Sequence, residues 1–183
     1  MTSSELYHGF GLAGYRTIKT EFVEGRIALH VELAKRPKCI ACNGRNVLGS
    51  GHFVREVKGV PLGAKQVIIH IHGQRVKCLD CGAVRRMRID VAAPRRSYIK
   101  RLEKYVLKLL RHATMQDVAR LVGLGWDAVK DIQKRYLYRR FRLPRLKGVR
   151  RIAIDEICIG KPHRYLTVVL DLDSRRVLFV GDG

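Results

Sequence analysis

Met115-Gln116-Asp117-Val118-Ala119-Arg120-Leu121-Val122-Gly123-Leu124-Gly125-Trp126 is the stretch on which the reading of this chain turns. Counted from Met115, apolar residues fall at Val118, Val122, Leu124, Val129 and Ile132. That spacing describes one buried helical stripe, a break, and a second stripe. Ala119 is small where two helices must approach closely, and Gly123 stands where the turn needs a positive φ. Gly125 is then the N-cap of a second helix from Trp126 to about Tyr138. The pattern is that of a helix-turn-helix, a unit whose second helix enters the major groove of DNA. On this reading Trp126, Asp127, Lys130, Asp131 and Lys134 face the groove, while Arg135, Arg139 and Arg140 follow the phosphates. Two alternatives stay open here: a plain helical hairpin with a solvated basic face, and a place in the core for Trp126.

The flanks extend the motif. Ser97 is a good N-cap, and Tyr98, Leu102, Tyr105, Val106, Leu109 and Leu110 follow at helical spacing, predicting a supporting helix. Beyond the second helix, Tyr136 to Arg151 carries a cation every one to three residues. Such a tract can lie along a nucleic-acid backbone or reach into a minor groove; a solvated linker is the alternative.

Charge singles out the same region. The 183 residues hold 37 Lys+Arg against 16 Asp+Glu, a formal net charge of +21. Residues 94–151 carry 18 basic and 4 acidic side chains, net +14, against +8 for residues 1–93 and −1 for residues 152–183. A surplus this concentrated calls for a polyanion, with nucleic acid ahead of an anionic membrane surface. No stretch reaches the roughly 18 uninterrupted apolar residues of a spanning helix. Met1-Thr2-Ser3-Ser4-Glu5 lacks the basic-then-apolar pattern of a signal peptide, so the cytosol is the expected compartment and no membrane partner is expected.

Four of the five cysteines form two pairs, Cys39-Ile40-Ala41-Cys42-Asn43-Gly44 and Cys78-Leu79-Asp80-Cys81-Gly82. In a reducing compartment that arrangement reads as metal ligation. Two intervening residues let both thiolates of a pair turn toward one ion, and the small residues that follow free backbone N–H groups to approach the sulfurs. Four thiolates close a tetrahedral shell, which marks a structural Zn²⁺. Alternating apolar residues at Ile27–Leu33, Phe53–Val57 and Val67–His72 predict strands around the pairs, and the gap between the pairs fits an inserted β-hairpin. This makes the first segment a zinc ribbon. His70 and His72 share a strand face with Ile68 and need no ligand. Arg75, Lys77, Arg85 and Arg86 flank the second pair and either touch phosphates or are solvated.

The last segment predicts three strands, Arg151–Ile159, Tyr165–Leu172 and Val177–Val180, joined by turns into an antiparallel meander. Asp155 is a carboxylate inside an apolar strand, costly to bury unless paired or bound to a metal, which makes it the chemical candidate of the chain. Asp171 and Asp173 suit a turn, and Cys158 a small apolar position.

Ile154-Asp155-Glu156, followed by Lys161-Pro162-His163-Arg164-Tyr165-Leu166-Thr167-Val168-Val169-Leu170-Asp171-Leu172-Asp173, resembles the opening of a DDE transposase domain. With the zinc ribbon, the helix-turn-helix and the basic linker before it, the order is similar to that of ISL3-family insertion-sequence transposases. The resemblance implies an α+β multidomain chain. It has a zinc-ribbon domain at 1–93, a helix-turn-helix domain at 94–141, a basic linker at 142–151, and at 152–183 the first three strands of an RNase H-like catalytic sheet. It implies Asp155 as the first of three catalytic acids that together hold two Mg²⁺ ions. It also implies double-stranded DNA of the transposon's terminal inverted repeats as partner, with the chain on the bacterial nucleoid. The sequence ends at Gly181-Asp182-Gly183 with only one of the three acids, so a truncated chain that binds DNA without catalysing transposition alone is expected. A stand-alone regulator of transposition is the second expectation, and an RNA-associated zinc ribbon a third. The edge of the last strand predicts self-association, a homodimer being one form of it.

Overall fold

The structure is a computed structural model that describes residues 2–143, 146–160 and 163–182. The chain divides into two compact units, Met1–Ile132 and Gln133–Gly183.

In the first unit a short helix α1 (Ser3–Glu5) and a π-helical turn (Leu6–Phe10) lead into β1 (Tyr15–Val23) and β2 (Arg26–Leu33). After the first cysteine pair come β3 (Val47–Lys58), β4 (Val67–Cys78) and β5 (Val84–Arg86). The sheet order is β1-β2-β4-β3, with β5 also pairing β4. β3 and β4 form the antiparallel hairpin expected between the cysteine pairs, whereas β2 and β4 run parallel, with Ile27 opposite Val67 and Val31 opposite Ile71. Period-two alternation decides the faces: Ile27, Leu29 and Val31 of β2 and Val67, Ile69 and Ile71 of β4 are buried, while the residues between them are half-buried.

Three helices complete this unit: α2 (Lys100–Leu109), α3 (Met115–Val122) and α4 (Trp126–Phe141), the last running across the division between units. Leu102 and Val106 of α2, Val118 and Val122 of α3, and Val129 and Ile132 of α4 belong to one core cluster with the buried sheet residues and with Leu6, Phe10 and Leu12. The expected boundary at residues 93 and 94 falls inside this shared core. Ala92 is buried, and Arg55 of β3 donates hydrogen bonds to the carbonyls of Ala93 (2.6 Å) and Arg96 (2.9 Å).

Ser97 does not cap the supporting helix. The N-cap of α2 is Ile99, in extended conformation without a side-chain cap. The reason is sheet pairing: the Ser97 carbonyl accepts from the Lys58 N–H (2.7 Å), and the Ile99 N–H donates to the Lys58 carbonyl (3.0 Å). A true cap stands one helix later. Thr114 accepts from the Asp117 N–H (3.2 Å) at the start of α3, and its hydroxyl donates to the Asp117 carboxylate (2.6 Å).

The second unit holds the expected meander: β6 (Ile152–Gly160), β7 (Arg164–Asp171) and β8 (Arg176–Asp182), all antiparallel in the order β6-β7-β8. Parts of the second linker (Pro144, Arg145) and of the β6–β7 turn (Lys161, Pro162) lie outside the described residues.

Candidate metal centre and nucleic-acid interface

Two turns of matching backbone build the cysteine site. In the first, the Cys39 N–H donates to the Gly44 carbonyl (2.9 Å) and the Asn43 N–H to the Cys39 carbonyl (3.0 Å). In the second, the Cys78 N–H donates to the Ala83 carbonyl (2.9 Å) and the Gly82 N–H to the Cys78 carbonyl (3.0 Å). Asn43 and Gly82 occupy the same position and both take positive φ, 60° and 70°. These are the residue types that tolerate it, which is why the two pairs end as they do. Gly44 is required for a different reason. A Cβ there would lie 2.2 Å from an Asp80 carboxylate oxygen and 3.1 Å from the Cys42 sulfur.

The turns bring four sulfurs together, each within 4.8 Å of the others. Cys39 and Cys81 stand 3.7 Å apart, and Cys42 and Cys78 3.6 Å. Four thiolates about 2.3 Å from one central ion would be separated by about 3.8 Å, so the spacing fits a tetrahedral metal shell. Backbone donors supply the rest of the environment: the Ala41 N–H points to the Cys39 sulfur and the Gly44 N–H to the Cys42 sulfur, both at 3.4 Å. The N–H groups of Cys42 and Ala41 hold the Cys39 thiol down to about 7. At Cys42 the Gly44 N–H acts in the same direction, but the sulfurs of Cys81 and Cys78 outweigh it and the thiol is pushed up to about 12. Four thiolates this close repel one another, and a divalent ion among them would supply the opposing charge. Among the described residues this is the one His, Cys, Asp and Glu cluster with metal-binding spacing.

A second group of titratable side chains was not visible in the sequence, because its members come from three strands. His30 of β2 lies 3.0 Å from His72 of β4 through their ring nitrogens, stacks on His70 at 4.5 Å, and pairs with Glu21 of β1 at 2.9 Å. Burial, and then the neighbouring His70, push the His30 pKa below the usual imidazole range. His72 and His70 are thus partners of His30, the first by hydrogen bond and the second by ring stacking, on the sheet face opposite the core.

The turn between α3 and α4 is fixed from below by the sheet. Gly123 has φ +63°. A Cβ on it would come within 2.2 Å of the Gln66 side chain, and the Lys58 ammonium donates to the Gly123 carbonyl. Every residue expected to be apolar across this motif is buried: Val118, Ala119, Val122, Leu124, Val129 and Ile132. Gly125 accepts from the N–H groups of Ala128 (3.0 Å) and Val129 (3.2 Å), as an N-cap does. Trp126 is 43% exposed and carries the Lys130 ammonium 4.9 Å above its ring, so it is not a core residue. Lys130, Lys134, Arg139 and Arg140 are exposed, and Arg135 is half-buried. Asp131 is turned to Arg96, 3.6 Å away.

In the second unit Asp155 is exposed on β6, and its carboxylate accepts from the Glu156 N–H (2.8 Å). Burial therefore does not mark it out, contrary to the reasoning from its apolar neighbours. The buried carboxylate is Asp171, 3% exposed at the end of β7. It accepts from the Asp173 N–H (3.2 Å) and the Ser174 hydroxyl and faces Arg176 at 3.8 Å, which is the turn role its position suggested. These donors, the Ser174 hydroxyl foremost, hold its carboxyl below the ordinary range.

Comparison with known proteins agrees with the geometry. Residues 87–137 match the helix-turn-helix domain of transposase family ISL3. The transposase for insertion sequence element IS1001 of Bordetella parapertussis is 32% identical over 177 residues, covering 94% of this chain and 44% of the relative. The transposase for insertion sequence element IS1557 of Mycobacterium tuberculosis is 28% identical over 134 residues, covering 73% of this chain and 30% of the relative. The chain thus spans less than half the length of these relatives. No solved structure matches.

Proposed function

We propose that this chain, a relative of insertion-sequence transposases whose residues 87–137 belong to the helix-turn-helix domain of family ISL3, recognises the terminal inverted repeats of its element as duplex DNA. The observation that carries the reading is the α3–α4 unit. Its apolar stripe is buried, its turn is held at Gly123, and its second helix opens with an exposed Trp126 under Lys130.

In this reading α4 lies in the major groove, with Trp126, Lys130 and Lys134 toward base edges and Arg135, Arg139 and Arg140 along phosphates. The cysteine centre takes Zn²⁺ in a closed four-thiolate shell, so that the first segment is a zinc ribbon and the ion's role is structural. The β6-β7-β8 meander supports an RNase H-like beginning, with Asp155 as the first acid of the catalytic set. Among the described residues Asp155 belongs to no group of three or more side chains spaced to hold a metal ion. The work of the chain is on the bacterial chromosome, in the cytoplasm.

Fluorescence anisotropy with zinc-loaded and zinc-stripped protein tests this, comparing terminal-repeat duplexes with random sequence over a range of salt. Preference for the repeat that persists as salt rises is expected, with affinity falling on stripping. Binding that is blind to sequence and vanishes with salt would overturn the recognition reading. Equal binding by loaded and stripped protein would remove the metal from it.

A further inference from the structure

A cleft of about 700 Å³ lies in the first unit, between the chain leading into the first cysteine turn and helix α2, and no residue of α3 or α4 lines it. Its two walls are cationic. Lys35, Arg36 and Lys38 stand on the chain before Cys39, and Lys100, Arg101 and Lys104 on the first turns of α2. All six are exposed. The one carboxylate in the lining, Asp90, is already engaged by Arg88. Among the described residues of the lining, the six charges therefore have no free acidic counterpart. Only Arg101 has part of its guanidinium committed, to the His8 carbonyl at 2.6 Å, and that neutral acceptor leaves its charge intact.

Six exposed like charges lining one cleft concentrate positive potential there, and any pair closer than the roughly 10 Å screening length at 0.1 M salt repels with little screening. A polyanion threaded between the walls removes that repulsion and releases its own counterions. We propose that this cleft is a second docking groove for the sugar–phosphate backbone of duplex DNA, distinct from α4; the proposal rests on the reading that the chain binds duplex DNA. The lining favours a backbone over a small anion. All six cations are open to solvent, as contacts to a phosphate backbone are, whereas small-molecule pockets enclose most of the ligand in a largely apolar lining with a few placed polar groups. Cys39, Ile40 and Asn43 form part of the wall, so the cysteine centre holds one side of the cleft in place.

The test uses the full, metal-loaded chain and random-sequence duplex of about two helical turns, with binding followed by anisotropy over a salt series. In the triple variant Lys38→Gln, Lys100→Gln, Lys104→Gln, the slope of log affinity against log salt is expected to fall by about 0.9 for each phosphate that the cleft no longer neutralises. The weakening should be the same for every duplex sequence. In the wild-type chain, duplex DNA should protect Lys35, Lys38, Lys100 and Lys104 from acetylation, a readout that does not depend on the variant's folding. An unchanged slope, or no protection, overturns the cleft. Protection by ATP at micromolar concentration, with none by duplex, also overturns it in favour of a nucleotide site. If the triple variant behaves as wild type while Lys130→Gln weakens binding, the cleft fails and the DNA reading stands. If the wild-type chain shows no salt-dependent binding to any duplex, both fail.

Discussion

The two sheets of this protein are both rich in apolar residues and end in opposite states. In the first, Leu29, Ile69 and Ile71 are fully buried, in one core with the N-terminal segment and three helices. In the second, apolar residues of both parities stay in the open: Ile152 and Ile154, Ile157 and Ile159, Phe179 and Val180 are all about half exposed or more. Strands pair along their length in both cases, with registers that run the whole of β6-β7 and β7-β8. Hydrogen-bonded pairing therefore does not make a core. A sheet gains most of its stability from the layer laid over it, and apolar strands paired with one another do not by themselves provide that layer.

The sharpest way to break this contrast is a matched pair of truncations. Leu29→Ala should destabilise the first unit by about 2–5 kcal/mol, the usual cost of emptying a closed site. Ile154→Ala, at a residue 64% exposed, should cost under about 0.5 kcal/mol, as open surface positions do. Urea unfolding of each variant checks both. A large penalty at Ile154 would mean that the second sheet is covered in solution, and the dependence of that penalty on protein concentration would say whether a second copy covers it.

A smaller effect is expected where the first unit's sheet and helices meet. Gly123→Ala places a side chain in the left-handed region against Gln66 and should cost about 1–2 kcal/mol. Thermal melts of G123A and of G123A with Gln66→Ala separate the two causes. The double variant should recover the steric part and keep the backbone part.

The smallest effect is a pH dependence confined to the first sheet. His30 has a folded pKa below the ordinary imidazole value, so the unfolded chain takes up the proton first. The stabilisation is whole above about pH 6.5 and is lost as pH falls from there through the depressed folded value. Melting temperatures of the wild type between pH 7.5 and 5 should decline more steeply than those of His30→Gln. Parallel curves would show that the histidine cluster has no energetic weight.

What could be read in the sequence was what local spacing encodes. The buried positions from Val118 to Ile132, the bend at Gly123, the two cysteine turns and the three strands of the meander all depend on neighbours within a few residues. What escaped depends on distant partners. β1, with Tyr15 buried at its start, has too little alternation to announce itself, since Thr17, Lys19, Thr20 and Glu21 fill its middle. The parallel pairing of β2 with β4 joins residues 40 apart, and no local signal records it. Ser97 has the chemistry of a cap but is taken by β3, a tertiary contact overriding a propensity. The His30, His70 and His72 cluster exists only because that parallel pairing sets His30 beside His70. Asp155 was singled out by its apolar neighbours, but those neighbours do not bury it: it is exposed, as Ile154 beside it is.

The turn at Gly123 also decides how freely α4 can swing at its base. Lys58 and Gln66, from either side of the β3–β4 connection, grip the bend from which α4 departs. The elbow is therefore a weld. Any change in the direction in which α4 leaves the turn would have to begin at Lys58 or Gln66, on the sheet side of the bend.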